Sequence, residues 1–112
     1  MDKMTNWTDI CDVNDILPNS GRAALYGGEQ VAIFRITRNG KDAYFAVGNY
    51  DPCSGANVMS RGIVGNIGDK TVVASPVYKQ HFCLDTGECL EEGQNLKTWP
   101  VRVEGDRVLL TS

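Results

Sequence analysis

Several sequence features are missing from this chain, and each absence argues against a class of function. The 112 residues include 11 lysines and arginines spread among 14 acidic residues, with no basic run. A phosphate-binding surface of the kind used by nucleic-acid-binding proteins is therefore not expected. No apolar run approaches the roughly 18 residues of a membrane-spanning helix. Residues 1–9 lack the apolar segment of a secretory signal, so we expect a soluble, cytoplasmic protein.

Motifs for metal ions, cofactors and catalysis are also missing. Histidine occurs once, at His81, and the cysteines include no C-x-x-C pair, which argues against a zinc ribbon. There is no G-x-G-x-x-G segment for a dinucleotide and no P-loop. No neighbouring Ser-Asp or Cys arrangement would make His81 part of a nucleophilic site. We therefore expect no catalytic residue, metal ligand or bound cofactor on this chain.

The four cysteines are Cys11, Cys53, Cys83 and Cys89. A cytoplasmic location favours free thiols over disulfides. Cys11 ends a short alternating stretch and is expected to be a small buried hydrophobic residue. Cys83 and Cys89 flank one turn across which two thiols could approach, but their spacing does not suggest a thiol site, and we favour structural, reduced cysteines. The sequence leaves open whether Cys53, Cys83 and Cys89 have a redox or metal-binding role.

The fold class follows from the spacing of short apolar runs and turns. The length and the hydrophobic fraction of 42% suit one globular domain over residues 1–112, with a core from about 7 to 110. Gly27-Gly28 and Asn39-Gly40 are two-residue hairpin signals. Many short strands with regular turns predict an all-β antiparallel sandwich or barrel. The candidate strands are residues 8–11, 22–26, 30–36, 43–49, 59–64, 71–74, 81–84, 88–90, 98–104 and 107–110. One helical turn is expected within residues 12–17.

Two polar segments, residues 49–58 and 75–80, interrupt this pattern. They are rich in Pro, Gly and Ser and are too polar for strand interiors. Loops held on a rigid β scaffold are where binding and catalytic residues concentrate. We therefore expect these two loops to carry the function.

The two loops and the strands beside them resemble a Rieske domain. Rieske domains hold a [2Fe–2S] cluster with two Cys and two His, on a C-x-H loop and a C-P-x-H loop. The parts of that pattern other than the ligands are present as Gly55-Ala56, Met-Ser-Arg-Gly at 59–62, Ser75-Pro76 and Phe-x-Leu-x-Thr-Gly at 82–87. The resemblance implies a Rieske-like fold with both loops side by side at one tip.

The ligand positions do not match that pattern. They fall on Asp51, Cys53, Ser75 and Tyr78. If the first loop is one residue longer, the first pair falls on Pro52 and Ser54 instead. One histidine cannot supply two His ligands, and Cys53 is the only iron ligand among these residues. We therefore expect the cluster to be absent.

Nearly the whole chain, from about Trp7 to Leu110, resembles the small subunit of cytoplasmic NAD(P)H-dependent assimilatory nitrite reductase. The most specific matches are Asp51-Pro52, Ser60-Arg61-Gly62, Ala74-Ser75-Pro76 and Lys79-Gln80. The resemblance implies a large-subunit partner that carries FAD, an iron–sulfur cluster and sirohaem and reduces nitrite to ammonium. Two alternatives remain open: a free-standing β-sandwich adaptor and a Rieske-type electron carrier.

The expected partner surface is the pair of loops at the tip. Its candidate residues are Pro52, Ser54, Arg61, Tyr78, Lys79, Gln80 and His81. An aromatic side chain, a cation and an amide in sequence are typical of interface anchors, although solvated loop polarity explains them equally well. Arg61 either pairs with Asp51 and braces the loop or faces a partner carboxylate, and we favour bracing.

Overall fold

The computed structural model describes residues 6–77, 79–91 and 93–112, and their architecture is all-β, as predicted. Two short 3-10 helices, Val13–Asp15 and Met59–Arg61, accompany the strands. The strands of the described residues are β1 Thr8–Asp12, β2 Ser20–Tyr26, β3 Glu29–Arg38, β4 Lys41–Gly48, β5 Tyr50–Asp51, β6 Ala56–Asn57, β7 Ile63–Ile67, β8 Lys70–Ala74, β9 His81–Cys83, β10 Thr98–Trp99, β11 Val101–Glu104 and β12 Arg107–Leu110. No helix in this part of the chain is long and apolar enough to cross a membrane.

The strands form antiparallel sheets around a central sheet of order β10-β4-β3-β2. A second sheet of order β1-β12-β11 and a third of order β7-β8-β9 accompany it, and β5 and β6 form a small hairpin. The strand pair that joins the two ends of the described chain is β1 with β12, where Thr8 faces Leu110. Beside it, the Thr111 hydroxyl donates a hydrogen bond to the Asn6 carbonyl over 3.1 Å.

Strand β3 is buried on both faces, and this explains its uninterrupted apolar run from Val31 to Phe34. Because successive side chains of a strand point to opposite faces, alternate residues enter two different cores. Val31 and Ile33 pack in one core with Val108 and Leu110 of β12. The other core contains Ala32, Phe34 and Ile36 of β3, together with Val73 of β8 and Phe82 of β9. We call the sheets β10-β4-β3-β2 and β1-β12-β11, with the core between them, the scaffold.

The predicted two-residue turns are confirmed. Tyr26 pairs with Glu29 across Gly27-Gly28, and Arg38 pairs with Lys41 across Asn39-Gly40. Positive φ angles at all four turn residues suit the tight hairpins that continue the twist of their strands. The helical turn expected within residues 12–17 is the 3-10 helix Val13–Asp15, which begins with a capping box between Asp12 and Asp15.

Three strand predictions were wrong in part. Residues 59–61 form a 3-10 helix rather than the start of a strand, and the strand begins only at Ile63. Residues 88–90 contribute only an isolated bridge between Cys89 and Phe82. The predicted strand 98–104 is broken at Pro100, which has no N–H for a ladder bond. On either side of Pro100 the chain pairs with different sheets, β10 with β4 and β11 with β12.

Candidate functional site

The two polar loops lie together, and a buried carboxylate joins them. Asp51 is 0% exposed, and Ser75 in the second loop donates a hydrogen bond from its hydroxyl to Asp51 Oδ2 over 2.5 Å. Within the first loop the Ser54 hydroxyl (3.0 Å) and the Cys53 backbone N–H (2.9 Å) also donate to the Asp51 carboxylate. We call residues 49–58 and 75–81 the tip. Tyr78 belongs to this stretch of sequence but lies outside the described residues.

The first loop is a short hairpin rather than the irregular segment that its composition predicted. Asp51 of β5 pairs with Ala56 of β6, and the turn closes when the Gly55 N–H donates to the Asp51 carbonyl over 2.8 Å. Gly55 has a φ of +75°, a left-handed conformation that glycine adopts without steric cost. The buried Asn49 fixes the base of the hairpin. Its amide donates to the Gln30 side chain and its side-chain oxygen accepts from the Ser60 N–H.

The second loop is a tight turn closed by its own backbone. The Ser75 N–H donates to the Gln80 carbonyl over 2.8 Å, and the Lys79 N–H donates to the Ser75 carbonyl over 3.1 Å. The Val77 N–H donates to the Ser75 hydroxyl, which thereby links the turn to Asp51. Lys79 has a φ of +65°, an uncommon conformation for a lysine, and its side chain is exposed. The turn therefore presents a cation at the surface of the tip.

The hydrogen bonds around Asp51 keep its carboxylate ionised. Burial alone raises the pKa of Asp51, but the hydrogen bonds from Ser75, Cys53 and Ser54 together outweigh burial and hold the pKa below its ordinary value. A buried charge is tolerated only where hydrogen bonds replace its hydration. The tip is therefore organised around a charged, fully hydrogen-bonded oxygen acceptor.

This arrangement does not fit a Rieske cluster. The cluster needs two thiolates and two imidazoles, whereas Asp51 and Ser75, which correspond to ligand positions in one of the two alignments of the first loop, bind each other through oxygen atoms. The one imidazole of the sequence, His81, is bound at Nδ1 by Glu91 Oε2 over 2.8 Å. Within the described ranges, no three His, Cys, Asp or Glu side chains are grouped so that they could hold a metal ion. The donor atoms at the tip are those of a hydrogen-bond network.

The pair of His81 and Glu91 is a feature that the sequence did not predict. Glu91 accepts hydrogen bonds from the backbone N–H and from the ring of His81, and both lower the pKa of the Glu91 carboxyl group. The Leu90 N–H donates to the His81 carbonyl, which places the next residue beside the ring. The register of the segment after β9 against β9 would have placed Glu91 next to His81. We predicted residues 88–90 as a regular strand and did not derive that register.

The predicted partner-binding residues are only partly available at the surface. We expected Arg61 to pair with Asp51 and so brace the loop. In the structure the Ser75 hydroxyl contacts the Asp51 carboxylate, and Arg61 is exposed. The Ser54 hydroxyl points inward to Asp51 rather than outward. Lys79 is exposed, whereas Pro52, Gln80 and His81 are half-buried. Gln80 Oε1 is buried and has no hydrogen-bond partner among the described residues.

Comparison with known proteins identifies the class of domain first. Residues 6–111 match the model of the Rieske-like [2Fe-2S] domain family, so the chain belongs to that family. A ferredoxin from Sphingomonas yanoikuyae B1 has the same fold, with a TM-score of 0.74 and 19% identity over 96% of this chain and 99% of its own.

Closer relatives define the branch of that family. The nitrite reductase (NADH) small subunit of Salmonella typhimurium is 44% identical over 108 residues, 96% of this chain and 98% of its own. The solved structure of the Escherichia coli protein NirD is 43% identical with a TM-score of 0.86, and the match covers 97% of this chain and 98% of that one. A segment of the nitrite reductase [NAD(P)H] large subunit of Klebsiella oxytoca, about 10% of its length, is 40% identical over 91% of this chain. The chain therefore belongs to the family of nitrite reductase small subunits.

Proposed function

We propose that this chain is the non-redox small subunit of a cytoplasmic NAD(P)H nitrite reductase of nitrate assimilation. In this role it supports the assembly or docking of the large catalytic subunit, which reduces nitrite to ammonium. The observation that supports the proposal is the Asp51–Ser75 hydrogen bond, which joins the two loops through oxygen atoms at residues predicted to correspond to cluster ligands. A domain with that bond has the Rieske-like fold but lacks the ligands of the iron–sulfur cluster.

The redox groups of the complex then belong to the large subunit. We assign FAD, an iron–sulfur cluster and sirohaem to that subunit, and no cofactor to this chain. The small-subunit names of the full-length relatives support the partnership. So does the large subunit of Klebsiella oxytoca, in which a related segment is part of the same polypeptide. A domain found both alone and joined to its partner is expected to work in contact with that partner.

The tip is the surface that we assign to the partner. Lys79 presents a cation there, and Val77 and Tyr50 are exposed apolar residues, at 49% and 54% exposure. Apolar and aromatic side chains surrounded by polar residues are typical of protein interfaces. Tyr78, which the sequence suggested as an anchor, lies outside the described residues.

A spectroscopic experiment tests the non-redox role. The purified chain, expressed with iron and sulfide available, should have no visible absorbance and no paramagnetic signal at low temperature after dithionite. It should also show no nitrite reduction and no NAD(P)H oxidation above a buffer control. A Rieske-type spectrum would support the electron-carrier alternative and refute the proposal.

A co-purification experiment tests the partnership. Tagged protein from cells grown on nitrate or nitrite should retain a large subunit, recognised by its sirohaem absorbance. A partner without haem or flavin, or no partner at all under those conditions, would favour the alternative of a free-standing adaptor.

A further inference from the structure

Two of the four cysteines, both free in the structure, lie close together beside the tip. Cys53 is in the turn of the β5–β6 hairpin, and Cys89 follows β9, bridged to Phe82. A methyl carbon placed on Gly93 would lie 3.3 Å from Cys89 Sγ and 3.9 Å from Cys53 Sγ. The two sulfurs are therefore separated by no more than the sum of these distances, about 7.2 Å. No residue type other than glycine leaves this space between the thiols open.

The other two cysteines have different surroundings. Cys11 packs against the scaffold core with Val108 and Leu110. Burial raises the pKa of the Cys83 thiol, but hydrogen bonding from the Thr86 hydroxyl and from the backbone of Thr86 and Asp85 outweighs burial and lowers it. Cys53 and Cys89 are thus the pair of thiols that face one shared space.

We propose that Cys53 and Cys89 form a reversible intramolecular disulfide, a modification site that joins the first tip loop to the segment after β9. An S–S bond is about 2.05 Å long, so the sulfurs must approach by a few ångströms. Cys53 lies in the turn between β5 and β6, and Gly93 has no side chain to block the approach of the two sulfurs. This inference does not depend on the proposed docking role.

The oxidant is a low-molecular-weight disulfide such as oxidised glutathione. The thiolate of Cys53, which is half-buried and more accessible than Cys89 at 8% exposure, attacks one sulfur and releases one small thiol. The thiolate of Cys89 then attacks the Cys53 sulfur of the mixed disulfide and releases the second small thiol. The protein thiols lose two protons and two electrons, and the small disulfide becomes two thiols.

The bond would fix the width of a surface groove of about 350 Å³ at the side of the tip. Tyr50 and Pro52 line one part of the groove, and Gln94 and Asn95 line another. Cys53 follows Pro52 directly, and the Cys89 N–H donates to the side-chain oxygen of Asn95 over 3.0 Å. Oxidation would therefore tie these two walls to each other.

Glutathione titration of the full chain tests the proposal. Burial, the Asp51 carboxylate and the Cys89 thiol raise the pKa of Cys53, so the reaction is run at a pH of about 8.5 to increase the thiolate fraction. Native, reduced protein is incubated anaerobically with oxidised glutathione, free thiols are alkylated, and peptides are identified by mass spectrometry. We expect free thiols to fall from four to two per chain, a linked Cys53–Cys89 peptide, and full recovery with dithiothreitol.

Matched variants separate this pair from the other cysteines. Cys11→Ser should still lose two thiols, whereas Cys53→Ser should form no internal disulfide. Because Cys53 is half-buried in a turn, the latter variant is expected to fold. Folded wild-type protein that keeps four thiols would overturn the proposal. So would a linked peptide containing Cys83, a mixed disulfide on Cys53 that Cys89 never resolves, or disulfides between chains.

Discussion

In the scaffold, apolar side chains of facing strands meet, whereas in the tip two loops meet through one buried carboxylate. Ile33 of β3 and Leu110 of β12 are at most 1% exposed and pack in one core. At the tip, Asp51 is equally buried but is surrounded by hydrogen-bond donors from both loops. The hydrophobic stabilisation of the scaffold core has no preferred direction and scales with the apolar area that is buried. The stability of the tip network depends on whether each hydrogen-bonding atom has its partner. We therefore expect scaffold mutations to lower global stability without changing the geometry of the tip, and mutations in the tip network to act mainly on the two loops.

The largest expected effect is on the scaffold. Ile33→Ala removes buried methyl and methylene groups, so we expect the free energy of unfolding to fall by about 2–5 kcal/mol. Chemical denaturation measures this loss. Leu25→Ala, at a site 71% exposed on β2, is the matched control and should change stability by less than about 0.5 kcal/mol. Amide chemical shifts of tip residues in folded Ile33→Ala should match the wild type, and large shifts there would show that the two regions are coupled.

A smaller effect is expected when the carboxylate of the tip is removed. Asp51→Asn replaces one acceptor oxygen by a donor, so at least one of the Ser75, Ser54 and Cys53 donors loses its partner. We expect a loss of about 1–3 kcal/mol and faster amide hydrogen exchange in the two loops than in β3 and β4. Asp85→Asn, which changes an exposed carboxylate in another turn, is the control. Uniformly faster exchange across the scaffold would contradict the separation of the two regions.

Acid should lower the stability of the protein by protonating Asp51. The pKa of Asp51 is lower in the folded protein than its ordinary value of 3.8, so its ionised form stabilises the fold. That stabilisation is complete above the unfolded pKa and is lost as the pH falls through the folded pKa. The stability difference between wild type and Asp51→Asn should thus be constant near neutrality and shrink below a pH of about 4. A difference that grows on acidification would reverse the assigned sign.

The smallest effect on stability is expected at the surface of the tip, where binding should change instead. Lys79→Glu should alter the free energy of unfolding by less than about 0.5 kcal/mol. It should also change the rate of association with the large subunit and the salt dependence of that rate. Lys70→Glu is the matched control, because Lys70 is exposed at the other end of β8 from Ser75. Equal association rates for both variants would place the partner surface away from the tip.

Local sequence patterns predicted the scaffold well, because its strands and turns depend on preferences of residues that are close together in the sequence. The apolar run of β3 and the positive-φ pairs at residues 27–28 and 39–40 act over neighbouring residues. The strand break at Pro100 was missed because the residues on both sides of it have strand-like composition. Residues 59–61 were misassigned for the same reason, since the apolar Met59 at the start of the 3-10 helix suggests a strand as much as a helix.

The site was predictable in position but not in detail. Resemblance placed the two loops side by side, and the structure confirms it through the Asp51–Ser75 contact. The hydrogen bond between Asp51 and Ser75 was not predicted, because the two residues are far apart in the sequence. We had expected the charged Arg61 as the partner of Asp51. The neighbouring thiols of Cys53 and Cys89 were missed likewise, since only the folded loops bring them to the same side of Gly93.

The pairing of β1 with β12 has a consequence for how this domain can be combined with other polypeptides. Because the Asn6 carbonyl and the Thr111 hydroxyl are in contact, a host chain could enter and leave the domain at almost the same point. A short connection could equally join these residues in a circular permutant, with new ends at the open Gly27-Gly28 turn. Neither change touches β5, β6 or the turn after β8. The closeness of Asn6 and Thr111 thus makes the domain suited to insertion into another chain, with the two tip loops left unchanged.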